Sequence, residues 1–302
     1  MPAVSVVTTT LNRPHYLKEA IGSALSQTFE DFELLVCDDG GRDETRRVCE
    51  SFGDARIRHI VNASPLGIAM NTHAGVMHAG SDLIAFLNDD DRWTPEFLAK
   101  CAKPLLDDSN AVLSFCDHWL IDPLGNLLLE ETEENSIRYR RGFLSCGPVA
   151  EPLKLMVSNA IPLAMGSVFR KSAVDWSLYS KKIEGAYDYF LSYCLLQSGG
   201  RVVYVAERLT EYRTHGGSAS AALNLTNTLG TSYVNGLIVN DPRFRSVARE
   251  IQRHAIGLER HLAKLYLCRL NMPLAARHFG RFLRYRFAMG PDAGKVPSRR
   301  AR

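Results

Sequence analysis

Hydrophobic positions in the first ninety residues alternate between short apolar runs and longer segments with helical spacing. Residues 4–9 form a β-branched run that is typical of a buried strand. Residues 16–25 then place apolar side chains three and four positions apart, which predicts a helix beginning at the Asn-Arg-Pro step 12–14. The order is repeated along the chain, with predicted strands at 32–37, 57–61 and 82–87 and predicted helices at 43–52 and 67–79.

This alternation predicts the fold class. Strands and helices of such length in strict alternation indicate a mostly parallel sheet with helices on its faces. Ligands of such sheets bind outside the carboxyl ends of the strands. Two acidic clusters, at 38–39 and 89–91, each follow a predicted strand directly. We therefore expect an α/β fold with a Rossmann-type sheet in which both acidic clusters face one crevice.

The second part of the chain has a less regular pattern. A strand is predicted at 111–122, and a strand followed by the start of a helix at 165–174. Residues 125–160 between them are predicted to be rich in loops, with an acidic patch at 130–134. A helix at 187–196, a strand at 201–207 and a loop at 212–218 are predicted to follow, and the remaining chain is predicted to be helical.

Composition limits the class of protein. Hydrophobic residues make up 46% and charged residues 23% of the 302 positions, as in ordinary globular proteins. No apolar run approaches the ~18 residues that span a bilayer, and the sequence opens without a secretory signal pattern. The seven cysteines never occur in CxxC spacing, which indicates neither a disulfide framework nor a zinc site. These features predict a cytoplasmic protein.

The charge is distributed unevenly along the chain. Residues 241–302 contain fifteen Lys and Arg against four Asp and Glu, a balance of +11 that leaves −8 for residues 1–240. Apolar positions at helical spacing between the arginines of 258–287 suit an interfacial helix on anionic lipid, at the inner face of a membrane. Packing of the same helix on the acidic body is the commoner arrangement and stays open. Without a recognition module, the basic charge does not indicate a nucleic-acid partner.

The carboxylates that follow the strands indicate metal and phosphate chemistry. Mg²⁺ and Mn²⁺ are often bound by one or two carboxylates together with substrate phosphates, so Asp89 to Asp91 predict a clamp for a metal and a diphosphate. One of these acids would suffice to cap the following helix. The Asp-Asp-Gly step at 38–40 is equally typical of a turn. GxSxG, P-loop, HExxH and GxGxxG motifs are absent, which argues against several other enzyme classes.

Four sequence blocks carry a more specific resemblance. The first two are VSVVTTTLNRPHYLKEAIGSALSQTFEDFELLVCDDGGRDET at 4–45 and LGIAMNTHAGVMHAGSDLIAFLNDDDRWTPEFL at 66–98. The other two are YDYFLSYCLLQSGG at 187–200 and LTEYRTHGGSAS at 209–220. In content and order they resemble the family-2 glycosyltransferases, which have the GT-A fold. The resemblance implies inverting transfer of a sugar, assisted by Mn²⁺ or Mg²⁺, from a UDP- or dTDP-sugar to an acceptor hydroxyl.

The resemblance also implies a role for individual residues. Asp39 would hydrogen-bond the pyrimidine base, Asp90 would be the principal metal ligand, and Asp188 would be the general base. The implied set comprises the donor-binding residues Thr9, Leu11, Asn12, Arg13, Asp39 and Asp89, the metal-binding residues Asp90, Asp91 and His215, and the catalytic residue Asp188.

The resemblance further implies an organisation of the chain. Residues 1–220 would form the GT-A domain, with 1–100 binding the nucleotide-sugar and 101–220 the acceptor, and 221–302 would be a basic helical extension. The acceptor would be a glycan, a lipid-linked sugar or a small molecule in the synthesis of a cell-surface glycan.

Three positions depart from the family pattern. Leu11 stands where an aromatic residue is usual, Asn88 replaces the first acid of the commonest DxD motif, and Tyr187 replaces the Glu of a Glu-Asp pair. Two alternatives stay open: a nucleotidyltransferase with a similar site for a metal and a diphosphate, and a non-catalytic scaffold that binds nucleotide-sugars.

Overall fold

A mixed β-sheet forms the centre of the molecule. The computed structural model describes residues 1–216 and 225–288. In the first part of the chain, strands and helices alternate as predicted, and the four strands pair in parallel in the order β3-β2-β1-β4. These elements are β1 (Val4–Thr10), α1 (Pro14–Leu25), β2 (Phe32–Asp38), α2 (Asp43–Ser51), β3 (Ile57–Val61), α3 (Ile68–His78) and β4 (Leu83–Phe86).

The second part of the chain completes the sheet. Its elements are β5 (Arg92–Trp93), α4 (Phe97–Asp107), β6 (Ala111–Ile121), α5 (Leu129–Arg138), β7 (Gly147–Pro148), α6 (Pro152–Val157), β8 (Ser167–Arg170), α7 (Tyr187–Gln197) and β9 (Arg201–Arg213). β8 lies between β4 and β6 and is antiparallel to both, while β9 is parallel to β6. Within the described residues, β1–β4, β6 and β9 therefore share one direction, and β5, β7 and β8 oppose it. The expectation of a mostly parallel α/β sheet is confirmed.

Two predictions of local structure were wrong. Residues 125–160, expected to be rich in loops, contain α5 and α6. The only residues of α5 that are buried are Thr132 and Ser136, so this helix has no apolar face that a hydrophobic pattern could reveal. The predicted loop from residue 212 begins later, because β9 continues to Arg213 through pairing with β6 and β5.

The C-terminal helices pack partly on the sheet domain. They are α8 (Leu225–Asn240), α9 (Arg245–Cys268) and α10 (Met272–Ala288). Val234 of α8 and Val247 of α9 are buried in the same hydrophobic cluster as Leu191 of α7. α8 also approaches the backbone before α7 closely, since a Cβ on Gly230 would lie 1.9 Å from the carbonyl oxygen of Ile183. Glycine is therefore required at this helix crossing.

α10 packs on α9 with one face only. Ala275, His278 and Tyr285 are buried, whereas Phe279 and Phe287 are 52% and 77% exposed. The side chains by which this helix packs on the rest of the protein are thus an alanine, a histidine and a tyrosine, and two of its phenylalanines face solvent. None of the helices among residues 1–216 and 225–288 combines the length and apolar character that crossing a bilayer requires.

Candidate active site

A cavity of about 710 Å³ opens at the carboxyl ends of β1, β2 and β4. Thr10 at the end of β1, Asp39 after β2, and Asp89 and Asp90 after β4 contribute to its wall. Both acidic clusters therefore border one crevice, as the parallel topology predicted. Of the predicted site residues, those in the wall are Thr9, Leu11, Arg13, Asp39, Asp89, Asp90 and Asp188.

The two aspartates of the cluster after β2 have different tasks. Asp38 is buried and its Oδ1 accepts hydrogen bonds from the amides of Gly40 at 2.8 Å and Gly41 at 3.0 Å, which makes the turn. Asp39 lies at the cavity, where its carboxylate accepts hydrogen bonds from the amides of Leu66 at 2.7 Å and Gly67 at 2.9 Å. The turn interpretation of this motif therefore applies to Asp38, and the binding interpretation applies to Asp39.

Asn12 does not line the cavity among the residues described. It adopts a left-handed backbone conformation with φ of 58°, and its side chain lies against Gly40, where a Cβ would come within 2.6 Å of Asn12 Oδ1. The N-cap residue of α1 is Arg13, whose side chain makes no capping hydrogen bond. Asn12 thus lies between the loops that follow β1 and β2, outside the lining of the predicted donor pocket.

Asp89 and Asp90 are almost fully buried carboxylates at the edge of the cavity. Asp89 accepts hydrogen bonds from the Thr10 hydroxyl at 2.7 Å and from Arg13 Nη1 at 3.3 Å. Asp90 Oδ2 lies 2.8 Å from the same Arg13 nitrogen and 3.0 Å from Nε2 of His215. Burial, and then the charge of Asp90, raise the pKa of Asp89 to about 6. These carboxylates form a concentrated negative site that attracts cations.

Asp91 lies behind the cavity wall, contrary to its predicted role as a metal ligand. It is completely buried, Oδ1 accepts a hydrogen bond from the amide of Arg213, and Oδ2 accepts one from Asn88 Nδ2, each at 2.9 Å. Burial raises the pKa of Asp91 well above its ordinary value. With both oxygens engaged inside the protein, Asp91 is placed to fix the neighbouring backbone and not to bind an ion in the cavity.

Arg213 supports the acidic segment from behind. Its side chain is fully buried, Nε donates to the carbonyl oxygen of Asp90 at 2.8 Å, and Nη2 donates to Glu19 at 2.6 Å. The guanidinium also lies over the ring of Tyr16, 4.8 Å from its centroid. The sequence pattern indicates no role for this arginine, because its contacts join three segments that are distant along the chain.

Asp188, the predicted base, occupies the first turn of α7 and lines the cavity. It is half-buried, and its Oδ1 accepts a hydrogen bond from the amide of Tyr189 at 2.7 Å. Burial raises the pKa of Asp188 above its ordinary value of 3.8. A carboxylate whose proton affinity is raised in this way is suited to accept a proton from a hydroxyl.

The far side of the cavity has polar residues that sequence analysis missed. Arg141 is 2% exposed and pairs with Asp117 at 2.5 Å, next to His118 and Asn135. Burial and the charge of Arg141 lower the pKa of His118 to about 3, so this imidazole is neutral. Asn135 lies on α5 and Arg141 just after it, in the segment predicted as loop, whereas Asp117 and His118 lie on β6. The α8 residues Asn227, Thr231 and Asn235 line the cavity as well.

The donor set at Asp90 fits a divalent metal that is shared with a substrate. Among residues 1–216 and 225–288, no group of three or more His, Cys, Asp or Glu side chains is arranged to hold an ion alone. The Asp90 carboxylate, in the cavity wall, lies 3.0 Å from the imidazole of His215, and Arg13 already supplies positive charge there. Mg²⁺ typically binds with one or two carboxylates while phosphates complete its coordination. The residues present match that incomplete type of site.

Known proteins resemble the first half of this chain in sequence. Residues 5–150 match the family model of glycosyl transferase family 2. A UDP-Glc:alpha-D-GlcNAc-diphosphoundecaprenol beta-1,3-glucosyltransferase of Escherichia coli is 38% identical over 90 residues, 30% of this chain and 36% of that protein. A GalNAc(5)-diNAcBac-PP-undecaprenol beta-1,3-glucosyltransferase of Campylobacter jejuni is 34% identical over 137 residues, 43% of this chain and 42% of that protein. Residues 5–150, just under half of the chain, are therefore similar to glycosyl transferase family 2, and the matches to the two relatives span less than half the length of either.

Solved structures share the fold over nearly the whole chain. S. aureus TarS 1-349 in complex with UDP-GlcNAc aligns with a TM-score of 0.65 at 13% identity, covering 95% of this chain and 90% of that one. The mannosyltransferase PcManGT from Pyrobaculum calidifontis, in complex with GDP-Man and Mn²⁺, aligns with a TM-score of 0.63 at 15% identity, covering 98% and 77%. The GT-A-like fold expected from the sequence is thus confirmed.

Replacing Arg213 with leucine should lower the free energy of unfolding by about 3–5 kcal/mol, because removal of one partner leaves buried acceptors and charge uncompensated. Urea denaturation followed by circular dichroism measures this change. The control is Arg46→Leu, which breaks an exposed pair with Asp43 and should change stability by less than about 0.5 kcal/mol. Equal effects of the two substitutions would contradict the supporting role of Arg213.

Proposed function

We propose that this protein transfers a sugar from a nucleotide-sugar to an acceptor hydroxyl, with inversion at the anomeric carbon. The observation that carries the proposal is the convergence of Asp39, Asp90 and Asp188 in one cavity at the carboxyl edge of the sheet. The match of residues 5–150 to glycosyl transferase family 2 supports glycosyl transfer. Both the bacterial relatives described above are named as glucosyltransferases that act on diphosphoundecaprenol-linked sugars.

The donor would bind across the parallel half of the sheet. Asp39 is fixed by two backbone amides and offers its carboxylate at the cavity, which suits the imide N–H of uracil or thymine. Leu11, which is 53% exposed, would contact the base through apolar surface. We therefore favour a UDP- or dTDP-sugar as the donor, with Thr9, Arg13 and Asp89 in the same pocket.

Asp90 and His215 would hold the divalent cation, Mn²⁺ or Mg²⁺, together with the donor diphosphate. When bound, the metal stabilises the negative charge that develops on the leaving diphosphate. Arg13 contacts both Asp89 and Asp90, so it supplies positive charge at this end of the cavity. Asp91 would hold the backbone of residues 89–91 in place, because its carboxylate accepts a hydrogen bond from the Arg213 amide.

Asp188 would act as the general base. The acceptor oxygen forms a bond to the anomeric carbon, the hydroxyl proton passes to the Asp188 carboxylate, and the bond to the diphosphate oxygen breaks. The products are the glycosylated acceptor and a nucleoside diphosphate. A single displacement inverts the anomeric configuration and needs no covalent intermediate. A positioned base typically contributes about 10²–10⁴ in rate.

The acceptor would be a lipid-linked or polysaccharide sugar. The exposed face of α10 supports a lipid-linked acceptor, because Phe279 and Phe287 lie among arginines on a helix that is not covered by the body. Apolar side chains with surrounding positive charge bind to anionic bilayer surfaces. We propose that α10 contacts the inner face of a membrane peripherally.

Nucleotide binding tests the donor assignment. In a thermal-shift screen of UDP-, dTDP-, GDP- and CMP-sugars, one pyrimidine class should stabilise the protein, by about 2.7 kcal/mol at 100 times its Kd, and Mn²⁺ should increase the shift. Asp90→Asn should remove the Mn²⁺-dependent part, while Asp43→Asn, an exposed acid on α2, should not. Stabilisation by no nucleotide-sugar would refute the proposal, and release of pyrophosphate from a nucleoside triphosphate would indicate the nucleotidyltransferase instead.

Asp188→Asn should lower kcat by about 10²–10⁴ without changing donor affinity, since the amide keeps the hydrogen bond from Tyr189 but cannot take a proton. In the native protein kcat should fall as the pH drops through the pKa of Asp188, and this limb should lie above the ordinary carboxylate value of 3.8. Progress curves over pH and NMR of the anomeric proton are the measurements. Retained configuration, or an unchanged kcat in Asp188→Asn, would remove Asp188 from this role.

Sedimentation with vesicles tests the membrane contact. The protein should sediment with phosphatidylglycerol vesicles, less with phosphatidylcholine vesicles, and the double substitution Phe279→Ser and Phe287→Ser should reduce binding several-fold because apolar burial is lost. Phe143→Ser is the control, since Phe143 is 72% exposed on the sheet domain. Equal loss in both variants, or no sedimentation at all, would exclude α10 as the contact.

A further inference from the structure

The C-terminal helices form one wall of the cavity. Asn227, Thr231 and Asn235 of α8 follow one another at intervals of four residues, so they share one face of the helix, and all three line the cavity. His254 of α9 adds a fourth residue to this wall. The cavity is thus completed by a part of the chain beyond the four blocks that carry the family resemblance.

Close packing brings this polar stripe beside the proposed base. A Cβ on Gly230 would lie 1.9 Å from the Ile183 carbonyl oxygen, and a Cβ on Gly185 would lie 1.6 Å from Asn227 Oδ1. α8 therefore crosses directly over the segment that leads into α7. The contact is continued by the Tyr189 hydroxyl, which donates to Asn235 Oδ1 at 3.0 Å.

The three side chains of this α8 stripe, Asn227, Thr231 and Asn235, carry no charge. The stripe offers side-chain amides and one hydroxyl. The Thr231 hydroxyl donates to the Asn227 carbonyl oxygen at 2.8 Å and can therefore accept a hydrogen bond from a ligand hydroxyl, while the amide nitrogen of Asn235, whose Oδ1 accepts from Tyr189, can donate one. Aromatic side chains, Tyr139, Tyr189 and Tyr212, line the same cavity and provide apolar surfaces for the faces of sugar rings. At the far side, the positive charge of Arg141 is balanced by Asp117 at 2.5 Å.

We infer that the α8 stripe is the subsite for the acceptor saccharide, and that its ligand is a neutral, hydroxyl-rich sugar. A phosphate would require uncompensated positive charge, which neither the stripe nor the Arg141–Asp117 pair supplies. The inference deepens the proposed function and rests on it for the identity of Asp188 as base. The acceptor sugar lies along Asn227, Thr231 and Asn235 and presents one hydroxyl to Asp188.

Saccharide binding tests the subsite without any turnover. Saturation-transfer NMR on the full chain with UDP present would use the methyl pyranosides of glucose, galactose, mannose and N-acetylglucosamine as probes. At least one should bind, and Thr231→Val should weaken it about three- to tenfold, as expected for one lost hydrogen bond in a side chain of the same shape. Asn227→Ala is a second variant with the same expected direction. The matched control is Asn240→Ala, an exposed residue of the same helix outside the cavity, which should leave affinity unchanged.

Two results would overturn the subsite: no methyl glycoside binds the native protein, or both variants bind as tightly as the native protein. Nucleotide-sugar binding, measured in parallel, separates this failure from failure of the proposed function. Donor binding with unaltered glycoside affinity in the variants refutes the subsite alone, and glycoside binding without any donor binding refutes the transferase. Tighter binding of an octyl than of a methyl glycoside supports a lipid-linked source of the sugar, and equal binding supports a free glycan.

Discussion

Three consecutive carboxylates at the end of β4 impose the electrostatic constraint on which the site depends. Asp89, Asp90 and Asp91 are each at most 8% exposed. Like charges this close in a poorly solvated place raise one another's pKa unless cations and hydrogen-bond donors compensate them. Arg13 supplies charge from the start of α1, and Arg213 supplies an amide and a guanidinium from the end of β9. The contacts of Arg13 and Arg213 with the acidic segment therefore hold together the loop after β1, residues 89–91 and the end of β9.

This constraint explains why β9 is longer than its hydrophobic pattern indicates. Residues beyond 207 are mostly polar, yet they continue in the sheet and end where Arg213 reaches behind the acidic segment. His215 follows two residues later, and its Nε2 lies 3.0 Å from Oδ2 of Asp90. The strand thus ends with Arg213 in the interior, and a shift of its register by one residue would turn this side chain to the opposite face of the sheet.

Two of the departures from the family pattern contact each other. The hydroxyl of Tyr187 donates to Asn88 Oδ1 at 3.3 Å, and Asn88 Nδ2 donates to Asp91 at 2.9 Å. At both positions this chain has a neutral side chain, and the two side chains form a hydrogen-bonded pair. The pair lowers the number of negative charges next to the proposed metal site, which leaves Asp90 as its main carboxylate.

The sequence predicted the elements that bury apolar runs, and it missed those whose role depends on distant polar contacts. β1–β4 and α7 were evident because their side chains pack in the core. α5 was not, since it buries Thr132 and Ser136 and contributes Asn135 to a polar wall. The motif at 89–91 gave three acids but not their directions, and only the fold separates Asp90 at the cavity from Asp91 behind it.

The C-terminal helices show how a segment outside the recognised blocks can decide specificity. α8 gives the cavity a polar, uncharged face, while α10, two helices later, presents exposed phenylalanines on a basic surface. A membrane-anchored acceptor needs both properties, since its sugar must enter a polar cavity while its lipid stays in the bilayer. If one helical unit supplies both surfaces, then the distance between them is fixed by helix packing, and that distance limits the length of acceptor that can bring its hydroxyl to Asp188.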